Sequence, residues 1–232
     1  MDIIAHTASV HQSKEALKEL RDNPDYTKLE LDFRLTKDNE LVWSHSNKIN
    51  GRLISNTNYR NLGSVLILED VLEVLDHIKP ILIEIKGKPN ERQIYGLVKS
   101  LFSLVHYKNK IELESFNQYL IGILLNLKKQ GVLEFIDYGL IINLFKTFSY
   151  RKHFSEQYKE VSFLALSNEL YEWPIVGGDY QIYREQLPSA KQYAWSWDAV
   201  YEETEERILN YIFKGVDGIG TSNPTLVKKL IK

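Results

Sequence analysis

Eight short runs of β-branched and apolar residues recur along the chain, most of them separated by a stretch with helical spacing. The strand candidates are residues 3–6, 29–35, 81–86, 111–116, 137–142, 162–167, 192–197 and 216–221. The helix candidates are residues 13–22, 69–77, 91–106, 117–129, 143–158, 202–213 and 224–231. Such alternation argues for a parallel sheet covered by helices. Eight units in 232 residues predict one α/β domain over residues 1–232, closed into a (β/α)8 TIM barrel near the lower end of that fold's size range. A doubly wound open sheet is the alternative, weakened because no glycine-rich phosphate loop follows the first strand. Ser13 can cap the first helix with its hydroxyl, and Pro224 suits the first turn of the last. Gly177-Gly178 with Pro174 marks a loop, and no repeat or linker divides the chain.

Composition excludes several function classes. The chain has no cysteine, so neither a disulfide framework nor thiolate chemistry is available. A formal net charge of −2 provides no general attraction to nucleic acid or an anionic membrane. The longest apolar candidate, residues 119–127, is broken by Asn126 and is too short to span a bilayer. "MDII" carries no basic region or long apolar stretch of a secretory signal. The expectation is a soluble, cytoplasmic protein.

The chemistry concentrates in "KLELDFRLTKDNELVWSH", residues 28–45. Glu30 and Asp32 are two apart on a strand, so both carboxylates project from one face, while Leu29, Leu31 and Phe33 take the other. Glu84 and Lys86 repeat the spacing, with Ile83 and Ile85 facing outward. Like charges aimed into a barrel are costly unless a cation lies between them. Three converging carboxylates make an all-oxygen site suited to Mg²⁺ or Ca²⁺. His6 closes the first strand, and the turn at "TKDNE" folds "LVWSH" back so that His45 returns to the mouth. Two imidazoles there can serve as general acid and base. Each piece has a plainer explanation. Glu-x-Asp can be a solvated edge face, a strand-end histidine can be structural, and Glu84 with Lys86 can be an ion pair. Their coincidence at the ends of consecutive segments favours a site.

Several motifs carry a family resemblance: "AH" at 5–6, "ELDFRLTKDNELVWSH" at 30–45, "LEDVLEVL" at 68–75, "IEIK" at 83–86, "SFN" at 115–117, "AWSWD" at 194–198 and "GVDGIGTSNP" at 215–224. In order and spacing the chain resembles the glycerophosphodiester phosphodiesterase family, most specifically in the Glu-x-Asp…Thr-Lys-Asp…His block followed by Glu-Ile-Lys. The resemblance implies a TIM barrel and a divalent-metal phosphodiesterase acting on a small-molecule phosphodiester. It implies that Glu30, Asp32 and Glu84 hold the metal, His6 and His45 are the catalytic pair, and Lys86 contacts the phosphate. It also implies that Trp195 packs against the substrate's alcohol group. The chain departs from the family where His-Arg-Gly becomes His6-Thr7-Ala8 and Glu-Asn-Thr becomes His11-Gln12-Ser13. Ser46 and Ser222 stand where the family commonly has aspartate.

Outside that pattern, His11 is a candidate for reaching substrate or metal. Trp173, Tyr180, Tyr183 and Trp197 suit a core role better than a ligand-binding mouth. Lys128-Lys129 and Lys228-Lys229 read as solvated helix ends. Two further functions stay open: a lyase resembling sphingomyelinase D that yields a cyclic phosphate, and a non-catalytic barrel that binds a phosphodiester. The variable loops, including residues 168–189, would set the alcohol groups.

Overall fold

The computed structural model describes residues 1–6, 12–143, 158–172, 178–195 and 203–232. The strands are β1 (Asp2–Ala5), β2 (Lys28–Leu35), β3 (Leu41–Trp43), β4 (Lys48–Ile49), β5 (Arg52–Leu53), β6 (Ile81–Ile85), β7 (Ile111–Ser115), β8 (Ile136–Ile142), β9 (Phe163–Ser167), β10 (Lys191–Trp195) and β11 (Gly218–Thr221). All eight expected strands form. In the order β2, β6, β7, β8, β9, β10, β11, β1 they pair in parallel, and β1 closes the ring against β2. The result is a closed eight-stranded (β/α)8 barrel. β3 adds to β2 as an antiparallel hairpin, and β4 with β5 makes a small separate one.

The covering helices are α1 (Lys14–Asp22), α2 (Leu68–Leu75), α3 (Glu91–Leu101), α4 (Gln118–Lys129), α5 (Glu169–Glu172), α6 (Asp179–Gln186), α7 (Glu205–Phe213) and α8 (Pro224–Leu230). Ser13 caps α1 by accepting from the Ala16 N–H at 3.2 Å, and Pro224 opens α8. α3 ends before the expected residue 106, because Phe102–His106 tightens into a 3₁₀ turn. α5 and α6 occupy a stretch expected to be loop. Tertiary packing overrides its turn-rich sequence: Tyr183 is buried, and Tyr180 stacks on Tyr171 at 5.2 Å. The helix expected over 143–158 falls, but for its ends, outside the described residues. Among the described residues, no helix is long and apolar enough to cross a membrane.

Strand periodicity sorts the side chains. Leu29, Leu31, Phe33, Ile81, Ile83 and Ile85 face the helices and join the large buried core, each contributing roughly 1.5–3 kcal/mol through burial. The inner face is unusually polar. Lys28, 3% exposed, stands 3.0 Å from Asp2 Oδ2 and 2.5 Å from Glu112 Oε2, and donates to the Tyr193 hydroxyl at 2.9 Å. Lys110 lies 2.9 Å from both Glu112 and Asp137. Lys128, expected to be a solvated helix end, instead reaches Asp137 at 3.3 Å and donates to the Ile136 carbonyl. An inner apolar cluster of Ile4, Leu82, Phe163, Tyr193 and Trp195 completes the interior. Glycine makes room for its rings: a Cβ on Gly220 would lie 1.8 Å from Trp195 Cε3.

Two predictions follow from these ties. Breaking a buried, hydrogen-bonded ion pair by removing one partner costs about 3–5 kcal/mol. Glu112→Gln should therefore lower stability by that order in urea unfolding, and the paired replacement Lys28→Met with Glu112→Leu should recover most of it. A loss below about 1 kcal/mol in the single variant would contradict the assignment. At the surface, Lys228 and Thr225 donate to Asp25 at 2.5 and 3.0 Å, which lowers its carboxyl pKa. A pKa depressed by folding stabilises above the unfolded value of about 4 and loses that contribution as pH falls through the folded one. Amide exchange in α8 should accelerate across that window, and Asp25→Asn should remove the pH dependence.

Candidate active site

β2 and β6 run in register, with Asp32 beside Glu84 and Glu30 beside Leu82. The period of two puts Glu30, Asp32 and Arg34 on the inner side of β2, and Glu84 and Lys86 on the inner side at the end of β6. One oxygen each from Glu30, Asp32 and Glu84 lies within 4.8 Å of the others, and all three residues are buried. Lys86 Nζ stands 3.0 Å from Asp32 Oδ1 and donates to Glu84 Oε2 at 2.9 Å. Asp32 Oδ2 and Glu84 Oε1 remain buried with no hydrogen-bond donor.

These observations test whether a metal suits the residues. Asp32 and Glu84 share the Lys86 ammonium where water is scarce and are not saturated by it, so a further positive charge suits them. Every ligand atom is a hard oxygen, the donor set of Mg²⁺ or Ca²⁺. A divalent cation fits. The titration behaviour agrees: burial pushes Glu84 up to about 7, with Lys86 pulling down and Asp32 adding to the rise. Burial opposes the charge on Lys86, but Glu84 and Asp32 outweigh it and raise that pKa.

The two histidines arrive by different routes. His6 follows β1, half-buried, with its ring 5.1 Å from the Trp195 ring at 45°. Its N–H donates to the Thr221 carbonyl at 3.3 Å, tying it to β11. His45 follows β3, which returns as the turn chemistry predicts, with Asn39 at φ 68°. Ser44 N–H donates to the Asp32 carbonyl at 2.8 Å, pinning this hairpin beside the carboxylates. Arg34 then holds the His45 carbonyl, from Nε at 3.2 Å and Nη2 at 2.8 Å. Partial burial of the His45 ring lowers its pKa; Asp32 opposes the shift, while Lys86, His6 and Arg34 reinforce it. Trp195, expected at the mouth, is 6% exposed and braces His6 from the barrel interior.

Two polar residues of this region escaped the sequence reading. Glu114 sits beside Glu84 in the β6–β7 register, fully buried, with neither oxygen receiving a donor. Burial, and then Glu84, push its pKa well above the ordinary carboxyl value. The alternation Ile111-Glu112-Leu113-Glu114 repeats the signal that exposed Glu30 and Asp32. Arg34 continues the same inner face of β2. Thr7, Ala8, His11, Trp173 and Trp197 lie outside the described residues, whereas Tyr183 is core and Tyr180 packs against it.

The sequence matches no protein-family model and no curated protein. Among solved structures, it is similar to a glycerophosphodiester phosphodiesterase from Parabacteroides distasonis, with TM-score 0.78 and 18% identity over 99% of this chain and 96% of that one. It is also similar to an Oleispira antarctica phosphodiesterase in complex with the product sn-glycerol-3-phosphate, with TM-score 0.73 and 16% identity over 100% and 96%. A calcium-dependent phosphoinositol-specific phospholipase C from Pseudomonas sp. gives TM-score 0.60 and 11% identity over 97% and 89%. The chain thus has the barrel fold of glycerophosphodiester phosphodiesterases and PLC-like phosphodiesterases, at a sequence distance that makes it a divergent example of that fold.

Proposed function

We propose that this chain is a divalent-metal-dependent phosphodiesterase that hydrolyses a glycerophosphodiester-type substrate to an alcohol and a phosphomonoester. The observation that carries this reading is the buried triad of Glu30, Asp32 and Glu84, each of which brings one oxygen within 4.8 Å of the others beside Lys86. The Oleispira neighbour's bound product is of the class such a reaction releases. The cysteine-free sequence suits a reducing compartment such as the cytoplasm.

Glu30, Asp32 and Glu84 would hold the cation, which when bound supplies positive charge for the phosphate oxygens. Lys86 leans on Asp32 and Glu84 and presents its ammonium to the same anion. His6 and His45 take the proton work. One accepts a proton from the attacking water as its oxygen bonds to phosphorus, and the other gives a proton to the alkoxide that departs as its P–O bond breaks. Trp195 fixes the plane of the His6 ring, and Arg34 fixes the backbone that carries His45. Neutral His45 persists to lower pH than an ordinary imidazole, which suits it to the role of base.

Products followed by phosphorus NMR, with Mg²⁺, with Ca²⁺ and with EDTA, test the reading. Metal should be required, a monoester should accumulate, and Glu84→Gln should fall to the EDTA level. His6→Ala and His45→Ala should each slow turnover about 10²–10⁴-fold. A cyclic product would replace hydrolysis by the lyase. Metal-independent turnover, or full activity in both histidine variants, would refute the assignment.

A further inference from the structure

Beside Lys86 lies a cavity of about 250 Å³. Its walls carry Arg34, Lys86 and Lys88, with Leu53 as exposed apolar surface, and among the described residues no carboxylate lines it. The cavity shares Lys86 with the candidate site, while Glu30, Asp32, Glu84, His6 and His45 are not among the residues that line it.

Lys86 is already paired with Asp32 and Glu84, whereas half-buried Arg34 and exposed Lys88 have no carboxylate partner among the described residues. Among the described residues, Arg34 donates only to the His45 carbonyl, although the guanidinium is half-buried. Lys88 makes no hydrogen bond or ion pair among the described residues. Gly87, at φ 95°, turns the chain between Lys86 and Lys88, and even an added Cβ there would leave Arg34 Nη1 3.8 Å away. Converging cations around a recess attract and focus an anion. A planar guanidinium and mobile ammoniums together match phosphoryl or carboxylate oxygens.

We propose that this cavity is an anion subsite that receives a second negatively charged group, a phosphoryl or carboxylate, carried by the alcohol portion of the diester. The inference deepens the phosphodiesterase reading and rests on it for the substrate's identity. The scissile phosphate lies at the triad, Lys86 stands between the two anions, and Leu53 covers the carbon frame that joins them. The preferred substrates are then diesters with an additional charge, ahead of zwitterionic or neutral ones.

The test has two arms. The first compares glycerophosphoglycerol with its terminally phosphorylated counterpart in metal-loaded protein. The phosphorylated diester should show a KM about 10- to 100-fold lower, the scale of charge-assisted contacts, with kcat little changed. Lys88→Glu should erase that preference through KM, and Arg34→Lys should retain more of it than Arg34→Gln. The second arm titrates metal-free protein with inorganic phosphate by calorimetry. Binding should be present, and Lys88→Glu should weaken it about tenfold or more. Equal KM values for the two diesters alongside metal-dependent turnover would overturn the subsite and leave the phosphodiesterase intact. Phosphate binding that is absent, or indifferent to Lys88→Glu, would also overturn it. If no diester turns over but Lys88-dependent phosphate binding persists, the anion site stands and the hydrolase reading falls.

Discussion

The upper half of this barrel turns on one lysine. Lys86 is the cation that touches both Asp32 and Glu84, and Glu30 and Glu114 crowd the same interior with oxygens of their own. Without a positive charge at that point, four carboxyl groups in a water-poor space would repel one another, and each would drift toward its neutral form. With it, Asp32 and Glu84 are partly satisfied but not saturated. A cluster with more carboxyl groups than cations has room for a further cation, and a fully satisfied one has not.

The fold creates that shortage by local means. Alternation in β2 and β6 sends leucine, isoleucine and phenylalanine outward into the helical layer, where burial drives assembly, and leaves the polar residues no direction but inward. The same alternation in β7 places Glu112 and Glu114 inside, and they meet opposite fates. Glu112 finds Lys28, Lys110 and Tyr193 and becomes part of the scaffold. Glu114 finds no donor and becomes part of the site. Residue type and spacing are alike in the two cases; only the neighbouring strands distinguish them.

That contrast also marks how far the sequence can be read. The eight strands, the inward pair Glu30 and Asp32, their echo in Glu84 and Lys86, and the return of His45 all follow from periodicity and turn chemistry, which are local. Glu114 obeyed the same rule and was overlooked because no histidine or basic partner beside it in sequence drew attention. Arg34 was legible as an inward residue, but its grip on the His45 carbonyl depends on where β3 docks. The helices α5 and α6 depend on Tyr171, Tyr180 and Tyr183 finding one another, a tertiary event invisible in a stretch rich in turn formers. The resemblance puts Trp195 at the mouth, and it ends β10 beside His6. Its inward seat depends on Gly220, whose missing side chain is informative only once β10 and β11 are known to be neighbours.

The inner apolar cluster has a consequence for how charge is distributed along the barrel. Tyr193 reaches Lys28 and Glu112 with its hydroxyl, while its ring packs on Phe163 at 5.2 Å. Two residues farther along the same inner face, Trp195 meets His6. A buried layer of aromatic and aliphatic groups therefore connects two ionic compartments. Such a layer screens little, so the field of the Lys28–Glu112 pair extends toward the carboxylates with less attenuation than it would have in water. The scaffold thereby reaches the upper carboxylates, and Glu112 is one of the groups that push the Glu114 pKa upward.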